Sequence, residues 1–176
     1  MDNRKTNNES ASSNKDKIGI DTNLIVHLIM GSGDPTIEAL LAEDIFGKSW
    51  ITYTSKKCVT EAIGVLCRDY NYKINDARAE VERFVRDRKI EVLSIPEMQT
   101  IFELMEQVKH LFRSQRSLQA DCTIIQGFLD NKITHVVSTD GDFCEAAKFK
   151  GLHARKVPTE DRRIKDFFRK SPSQYR

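Results

Sequence analysis

The stretch Lys17-Ile18-Gly19-Ile20-Asp21-Thr22-Asn23-Leu24-Ile25 decides the fold. A short apolar run ends at Asp21, and a second apolar run then continues with helical spacing from Leu24 toward Leu28 and Ile29. This change of period indicates a β-strand followed directly by an α-helix, with Asp21 at the junction. In open parallel sheets, ligands bind in the crevice outside the carboxyl ends of the strands. Asp21 is therefore the first candidate functional residue.

The rest of the chain alternates segments typical of strands with segments typical of helices. Further strands are predicted at 49–54, 90–93 and 135–138, and helices at 55–70, 74–88, 98–112 and 118–129, with a short helix opened by Pro35 and a break at 114–117. Strands separated by helices predict a parallel sheet with helices on both faces. One apolar stripe in 98–112 suits either core packing or a dimer face; its members are Met98, Ile101, Phe102, Met105, Val108 and Phe112.

Composition narrows the class of protein. The 176 residues suit one domain, and 39% of them are hydrophobic and 31% charged, as is typical of a soluble globular protein. No segment approaches the roughly 18 uninterrupted apolar residues of a spanning helix, so no membrane partner is expected. The N-terminus lacks the apolar middle of a signal peptide. The four cysteines form no C-x-x-C pair, which favours buried thiols in a reducing compartment. A cytoplasmic location is therefore expected.

The two ends of the chain differ from its middle. Residues 1–16 are rich in Asn and Ser and predict a disordered polar arm, whereas 17–157 predict the folded domain. Residues 158–176 predict a basic helix and tail. A basic segment suits a phosphate backbone, although a solvated surface helix explains it equally well. The candidate RNA-binding residues in it are Arg162, Arg163, Lys165, Arg169 and Lys170.

Four acidic residues occupy positions where apolar residues are expected. Asp21 and Asp140 end predicted strands, and Asp142 follows Asp140 after a glycine that lets the backbone turn sharply. Glu61 and Asp121 lie on the apolar faces of predicted helices. Each acid alone is explained as a helix cap or as the partner of a buried arginine. Together they are expected to lie near one end of the sheet.

Such a cluster of carboxylates needs a cation. Two unit charges ~4 Å apart repel by about 4 kcal/mol at an effective dielectric constant of roughly 20. Oxygen ligands without His or Cys favour Mg²⁺ or Mn²⁺ over zinc. An ion held in this way suits phosphodiester hydrolysis, because it activates water and neutralises charge on the phosphoryl oxygens. The residues that flank the acids could orient a water or a phosphate oxygen, or could cap the following helices; they are Thr22, Asn23, Ser138 and Thr139.

These motifs, in this order, resemble the PIN domain family. They are Ile18-Gly19-Ile20-Asp21-Thr22-Asn23, then Glu61 on a helix, then Leu118-Gln119-Ala120-Asp121, and finally Val136-Val137-Ser138-Thr139-Asp140-Gly141-Asp142-Phe143. The resemblance covers roughly 17–157 and implies a three-layer α/β/α sandwich with a central, mostly parallel sheet. It also implies a metal-dependent ribonuclease. Asp21, Glu61, Asp121 and Asp140 match the catalytic, metal-binding acids of the family, and Asp142 matches an auxiliary metal ligand.

The resemblance carries further expectations about cofactor and partners. It implies Mg²⁺ or Mn²⁺ as cofactor and RNA as substrate. The flanking residues Thr22, Asn23 and Thr139 are the candidates to position that substrate. Many members are toxins of the VapC type, which a small protein antitoxin neutralises; others process ribosomal RNA, and homodimers are common. The polar arm, the basic C-terminal segment and the long helices between 70 and 117 depart from a compact toxin. Two alternatives stay open: a catalytically inactive RNA-binding or assembly module, and a structure-specific DNA nuclease.

Overall fold

A computed structural model describes residues 16–31, 45–46 and 49–157. Three predicted segments lie outside the described residues. They are the polar arm up to residue 15, most of the helix opened by Pro35, and the basic C-terminal segment. The RNA-binding candidates between Arg162 and Lys170 therefore lie outside the described residues too. Within the described part of the chain, no helix is both long and apolar enough to cross a membrane.

Strands and helices alternate along the chain. The strands are β1 (Asp16–Ile20), β2 (Trp50–Ser55), β3 (Glu91–Leu93), β4 (His135–Ser138) and β5 (His153–Lys156). The helices are α1 (Thr22–Met30), α2 (Lys56–Asp69), α3 (Ile74–Asp87), α4 (Met98–Val108), α5 (Gln115–Asp130) and α6 (Gly141–Phe149), and a 3-10 turn, Lys109–Leu111, follows α4. Ile45 and Phe46 are also helical.

The strands form one sheet in the order β3-β2-β1-β4-β5, and every neighbouring pair is parallel. The central strand β1 pairs with β2 on one side and with β4 on the other, so that Ile18 lies opposite both Thr52 and His135. The chain leaves β1 toward β2 and later returns to β4. The strand order therefore reverses between β1 and β4, which is the position where open parallel sheets bind ligands.

Helices cover both faces of the sheet. Helices α1, α2 and α3 contact one another, α4 contacts α5, and α6 contacts the 3-10 turn. Because parallel crossovers are right-handed, the first three helices cover one face and the last three cover the other. The protein is therefore a three-layer α/β/α sandwich around a parallel sheet, and the predicted fold class is confirmed.

The core fixes the elements whose ends carry the candidate acids. Ile20 of β1, Leu24 and Ile25 of α1, Phe128 of α5 and Phe143 of α6 are completely buried. Full burial of side chains of this size contributes roughly 1.5–3 kcal/mol each. Each of these residues belongs to an element that begins or ends beside the switch point, the position between β1 and β4 where the strand order reverses. The core therefore holds the elements around that position in place.

The predicted stripe of 98–112 divides between core and surface. Ile101, Val108 and Phe112 are buried, whereas Met98 and Phe102 are about half exposed, at 52% and 49%. The helix itself stops at Val108, and the 3-10 turn changes the direction in which the following side chains point. Only part of the stripe therefore belongs to the core.

One helix boundary was predicted wrongly, and one strand was missed. Helix α5 begins at Gln115 rather than at Leu118, because the Ser114 hydroxyl accepts a hydrogen bond from the Arg116 amide at 3.3 Å and caps the helix there. Strand β5 was not predicted at all. The sequence of β5, His-Ala-Arg-Lys, has no run of apolar residues that would indicate a strand. Polar residues are tolerated there because β5 lies at the edge of the sheet and pairs with β4 alone.

Gly19 lets β1 and α5 approach closely. A Cβ at Gly19 would lie 2.7, 2.8 and 2.9 Å from three atoms of the buried Phe128 ring. We expect Gly19→Ala to lower the free energy of unfolding by about 1–3 kcal/mol, because the core there has no room. Gly64→Ala is the matched control: a Cβ on this exposed residue of α2 meets no atom within 4 Å, and the change should stabilise by about 0.5–1 kcal/mol. Urea denaturation measures both, and equal shifts would contradict the packing argument.

Candidate active site

Asp21 lies at the carboxyl end of β1 and caps α1. Its Oδ1 accepts a hydrogen bond from the Leu24 amide at 2.9 Å, and its Oδ2 accepts one from the Ser138 hydroxyl at 2.5 Å. The side chain is buried. Burial raises the pKa of Asp21 to about 6; the two hydrogen bonds oppose the rise, and the negative charge of Asp140 adds to it. Asp21 is therefore a structural cap and, at the same time, an acid with a strongly shifted pKa.

Asp140 plays the matching role at the end of β4. Its Oδ1 accepts hydrogen bonds from the amides of Asp142 at 2.8 Å and Phe143 at 3.2 Å, and so caps α6. Its own amide donates to the Ser138 hydroxyl at 2.8 Å. Because the same hydroxyl donates to Asp21, Ser138 connects the ends of β1 and β4. The two acids are thereby held on either side of the switch point.

Glu61 is held by α1 and by its own helix. The Thr22 hydroxyl donates to Glu61 Oε2 at 2.9 Å, and the Lys57 ammonium lies 3.1 Å from Oε1. The buried Thr22 hydroxyl thereby orients the Glu61 carboxylate. Its role in positioning the substrate stays a prediction.

Asp121 has one carboxylate oxygen that lacks a partner. Its Oδ2 is buried and makes no hydrogen bond to any described residue. Burial raises the pKa of Asp121 to about 7; a hydrogen bond from the Ser117 side chain opposes the rise, and the charges of Asp140, Asp21 and Glu61 add to it. The field of all three other acids thus acts on Asp121. The structure therefore brings the four predicted acids, which lie on four different elements, around one crevice.

The four acids are not yet arranged as a chelating group. Among the residues that the structure describes, no three His, Cys, Asp or Glu side chains are close enough to hold one ion together. Three of the acids make other contacts, since Asp21 and Asp140 serve as caps and Glu61 bonds to Thr22 and Lys57. The orphaned Asp121 Oδ2 and an all-oxygen donor set nevertheless suit a hard divalent ion. Asp21, Glu61, Asp121 and Asp140 are thus the residues that could hold one.

Asp142 is paired with Arg113, and its role as an auxiliary metal ligand stays a prediction. Its Oδ2 accepts a hydrogen bond from the Arg113 amide at 2.9 Å, and its Oδ1 lies 3.4 Å from Arg113 Nε. Because α6 starts at Gly141, the side chain of Asp142 projects from the first helical turn toward the segment before α5.

Two further predicted residues, Asn23 and Thr139, flank the acids in the chain. Asn23 is exposed and Thr139 is half-buried, and neither side chain is hydrogen-bonded to another residue of the described ranges. Sequence reasoning missed Lys156, at the end of β5. A Cβ on Gly141 would lie 3.1 Å from Lys156 Nζ, so this ammonium lies beside the start of α6. Lys156 was missed because β5 was not predicted. With that strand in place, Lys156 would have been recognised as a basic residue at the carboxyl end of a parallel strand.

Two buried cysteines lie near the acids but offer no chemistry. Burial raises the pKa of Cys58 to about 12, and the charge of Asp21 adds to the rise. Burial likewise raises the pKa of Cys144 to about 12, again with a contribution from Asp21. Both thiols stay protonated at neutral pH, and a thiolate is the form that attacks or binds metal. The chemistry of the crevice therefore belongs to its oxygen atoms.

Several helices point their N-termini at the crevice. Asp21, Ser55, Ser114 and Asp140 cap α1, α2, α5 and α6 with their side chains. The N-terminus of a helix carries a partial positive charge, which favours anions such as phosphate. At α1 and α6, the carboxylates of Asp21 and Asp140 already accept hydrogen bonds from amides of the first turn. The crevice thus combines carboxylates with a surrounding potential that favours a phosphate group.

Ser138 is the residue whose loss should disturb this arrangement most directly. Ser138→Ala leaves the Asp21 carboxylate and the Asp140 amide without their shared partner, and a buried group left unpaired costs about 1–3 kcal/mol. We expect the free energy of unfolding to fall by that amount in urea titrations. Ser94→Ala, at an exposed site after β3, is the control and should change stability little. Equal values for the two variants would refute the bridging role.

Comparisons with known proteins bear on the fold. No protein-family profile matches the chain. No curated protein matches it. The crystal structure of PAE2754 from Pyrobaculum aerophilum is similar, with a TM-score of 0.52 at 10% sequence identity over 87% of this chain and 97% of that one. A domain of a functionally unknown protein from Methanocaldococcus jannaschii gives a TM-score of 0.48 at 16% identity, over 83% of this chain and 94% of that one. At 10% identity, the likeness to PAE2754 shows a shared α/β/α fold.

Proposed function

We propose that the protein is a divalent-metal-dependent endoribonuclease of the PIN type, and that it hydrolyses RNA in the crevice of Asp21, Glu61, Asp121 and Asp140. The buried, unpartnered Oδ2 of Asp121 carries the proposal. A buried carboxylate oxygen without a hydrogen bond is costly, and a strongly shifted pKa in a crevice is typical of a functional site. A bound cation would offset that cost.

The residues present fit Mg²⁺ or Mn²⁺. Asp121 would supply the free carboxylate oxygen, and Asp21, Asp140 and Glu61 would supply the rest of an all-oxygen set. When bound, such an ion makes a water molecule more acidic and neutralises charge on the phosphoryl oxygens. Ser138 and Thr22 support this set, because they hydrogen-bond to Asp21 and Glu61 and so fix the orientation of two of the ligands.

Other residues of the chain would bind and orient the substrate. The N-termini of α1 and α6 and the ammonium of Lys156 favour a phosphate group above the acids. The side chains of Asn23 and Thr139 lie beside Asp21 and Asp140 in the chain and have polar atoms to offer. The ordered motifs that resemble the PIN family favour RNA as the substrate.

A cleavage assay tests this function. Purified protein is incubated with a panel of structured and single-stranded RNAs in Mg²⁺, in Mn²⁺ or in EDTA, and the products are separated by electrophoresis. We expect internal cleavage that requires the ion. The absence both of cleavage and of Mn²⁺ binding by calorimetry would overturn the proposal.

One observation favours a second candidate, a catalytically inactive RNA-binding module. Asp21, Asp140 and Glu61 are already occupied by internal hydrogen bonds, as they would be in a crevice that serves structure alone. In that case RNA should bind equally well in EDTA and in Mn²⁺, and no RNA of the panel should be cut. The same incubation, combined with a binding measurement, separates the two candidates.

A further inference from the structure

We propose that single-stranded RNA binds along the outer side of α6, on a path that leaves the carboxylate crevice and ends with a base stacked on the ring of Phe149. This inference rests on the proposed function, because it assigns the route of the substrate beyond the crevice. We call this surface the α6 seam. It is formed by α6, by Lys150 after it, and by residues 107–113, which lie alongside.

Three contacts define the seam. The two segments run in opposite directions, and the contacts join Lys150 Nζ to Gln107 Oε1 at 2.8 Å, the Phe149 ring to the His110 ring at 5.8 Å between centroids, and the Arg113 amide to Asp142 Oδ2 at 2.9 Å. The end of the seam at Asp142 lies two residues from Asp140 and therefore at the crevice. The end at Phe149 lies at the other end of α6.

Helical geometry makes the seam continuous. Asp142 and Phe149 are seven residues apart, so they lie on the same face of α6. At a rise of about 1.5 Å per residue, Phe149 lies roughly 14 Å along the helix from the Asp140 cap. An extended single strand covers that distance in a few nucleotides. A strand cut at the crevice would thus bring a neighbouring base to Phe149.

The Phe149 ring is available for stacking. The side chain is 56% exposed, and the exposed His110 contacts it edge-on, with an interplanar angle of 82°. Unpaired bases stack on exposed aromatic rings regardless of sequence, since every base has a π-face. In duplex RNA the bases are stacked on one another, so this platform selects a single strand.

The charge of the seam favours nucleic acid over an apolar protein partner. Within the seam itself, four basic side chains stand against two acidic ones; the basic residues are Lys109, Arg113, Lys148 and Lys150, and the acidic ones are Asp142 and Glu145. The Arg113 side chain is 86% exposed despite its contact with Asp142. A lone aromatic ring within a net positive surface suits a base flanked by phosphates.

Fluorescence anisotropy with a fluorescein-labelled oligouridylate tests the seam. The titrations are done in EDTA, so that no metal-dependent cleavage occurs. We expect Phe149→Ala to weaken binding by about 5- to 100-fold, which is the usual effect of losing one stacked base. Phe102→Ala is the matched control, because Phe102 is a phenylalanine of similar exposure, 49%, on α4, and it should bind like the wild type. Lys150→Gln should reduce the slope of log affinity against log salt by about 1.

The outcomes separate this inference from the proposed function. Unchanged binding by Phe149→Ala, an equal loss in Phe102→Ala, or no binding of the oligouridylate by the wild type would overturn the seam, even if the protein cleaves RNA. A selective loss in Phe149→Ala would support the seam, even if the wild type proved inert as a nuclease. Equal affinity for the same sequence as a duplex would contradict the preference for single strands.

Discussion

Asp121→Asn should reduce metal-dependent RNA cleavage by at least about 100-fold in kcat/KM, given that loss of a mere supporting group around a metal site already costs about 10- to 100-fold. The change removes the charge of the acid whose Oδ2 has no partner among the described residues. An amide offers one neutral oxygen to a divalent ion and lacks the carboxylate charge that offsets the ion's own. The measurement is initial cleavage rates in Mn²⁺ over a range of RNA concentrations.

The same helix provides the control for this variant. Asp130 is exposed near the end of α5 and accepts a hydrogen bond from the Gln126 side chain at 2.7 Å. Asp130→Asn changes the charge of the protein by the same amount and should leave the rate within about twofold, because exposed charges far from the chemistry contribute little. Wild-type rates in Asp121→Asn would remove the basis of the proposed metal site.

The core of the fold was predictable because its signals are local. The change from strand to helix at Asp21, the Ser55 cap of α2 and the apolar run before Asp140 all lie within a few residues of the boundaries they mark. Strand β5 carries no such signal. It exists because β4 offers an unpaired edge, and its polar residues are tolerated at the border of the sheet. For the same reason, the position of Lys156 at the end of β5 could not be predicted.

The acids of the site could be predicted because each one is recognisable from its position in the sequence. An acid at the carboxyl end of a strand, or on an apolar helix face, can be recognised from its neighbours, and the four such acids do converge. The roles of Asp142 and Thr22 depend instead on which side chain lies opposite each of them. Arg113 and Glu61 come from other elements of the fold, at distances of 29 and 39 residues along the chain. No local pattern in the sequence indicates such pairings.

The second large effect concerns pH. In EDTA, the free energy of unfolding should fall as the pH rises from about 5 to about 7.5. Asp121 has an ordinary pKa of 3.8 and a folded-state pKa of about 7, so between these values the folded protein binds more protons than the unfolded chain. Its stabilising contribution is complete at low pH and is lost as the pH rises through the folded pKa. A shift of this size corresponds to something on the order of 4 kcal/mol.

Comparison with Asp121→Asn isolates this effect. His135 acts in the opposite direction, because burial lowers its pKa below 6.5 and the folded state loses stability as that imidazole becomes protonated at lower pH. The contribution of His135 is common to both proteins and cancels in their difference. We therefore expect the wild type to lose stability relative to Asp121→Asn as the pH rises. A constant difference across the pH range would contradict the raised pKa of the buried Asp121.

Mn²⁺ should reverse this loss, and the reversal connects stability with function. An ion that binds only the folded protein stabilises it by about 2.7 kcal/mol when present at about 100 times its dissociation constant. Because protons and the ion compete for the Asp121 and Asp21 carboxylates, the gain should be large near pH 7.5 and small near pH 5. Urea titrations with and without Mn²⁺ at both pH values measure it. A gain that is equal at both pH values, or that persists in Asp121→Asn, would place the ion elsewhere on the protein.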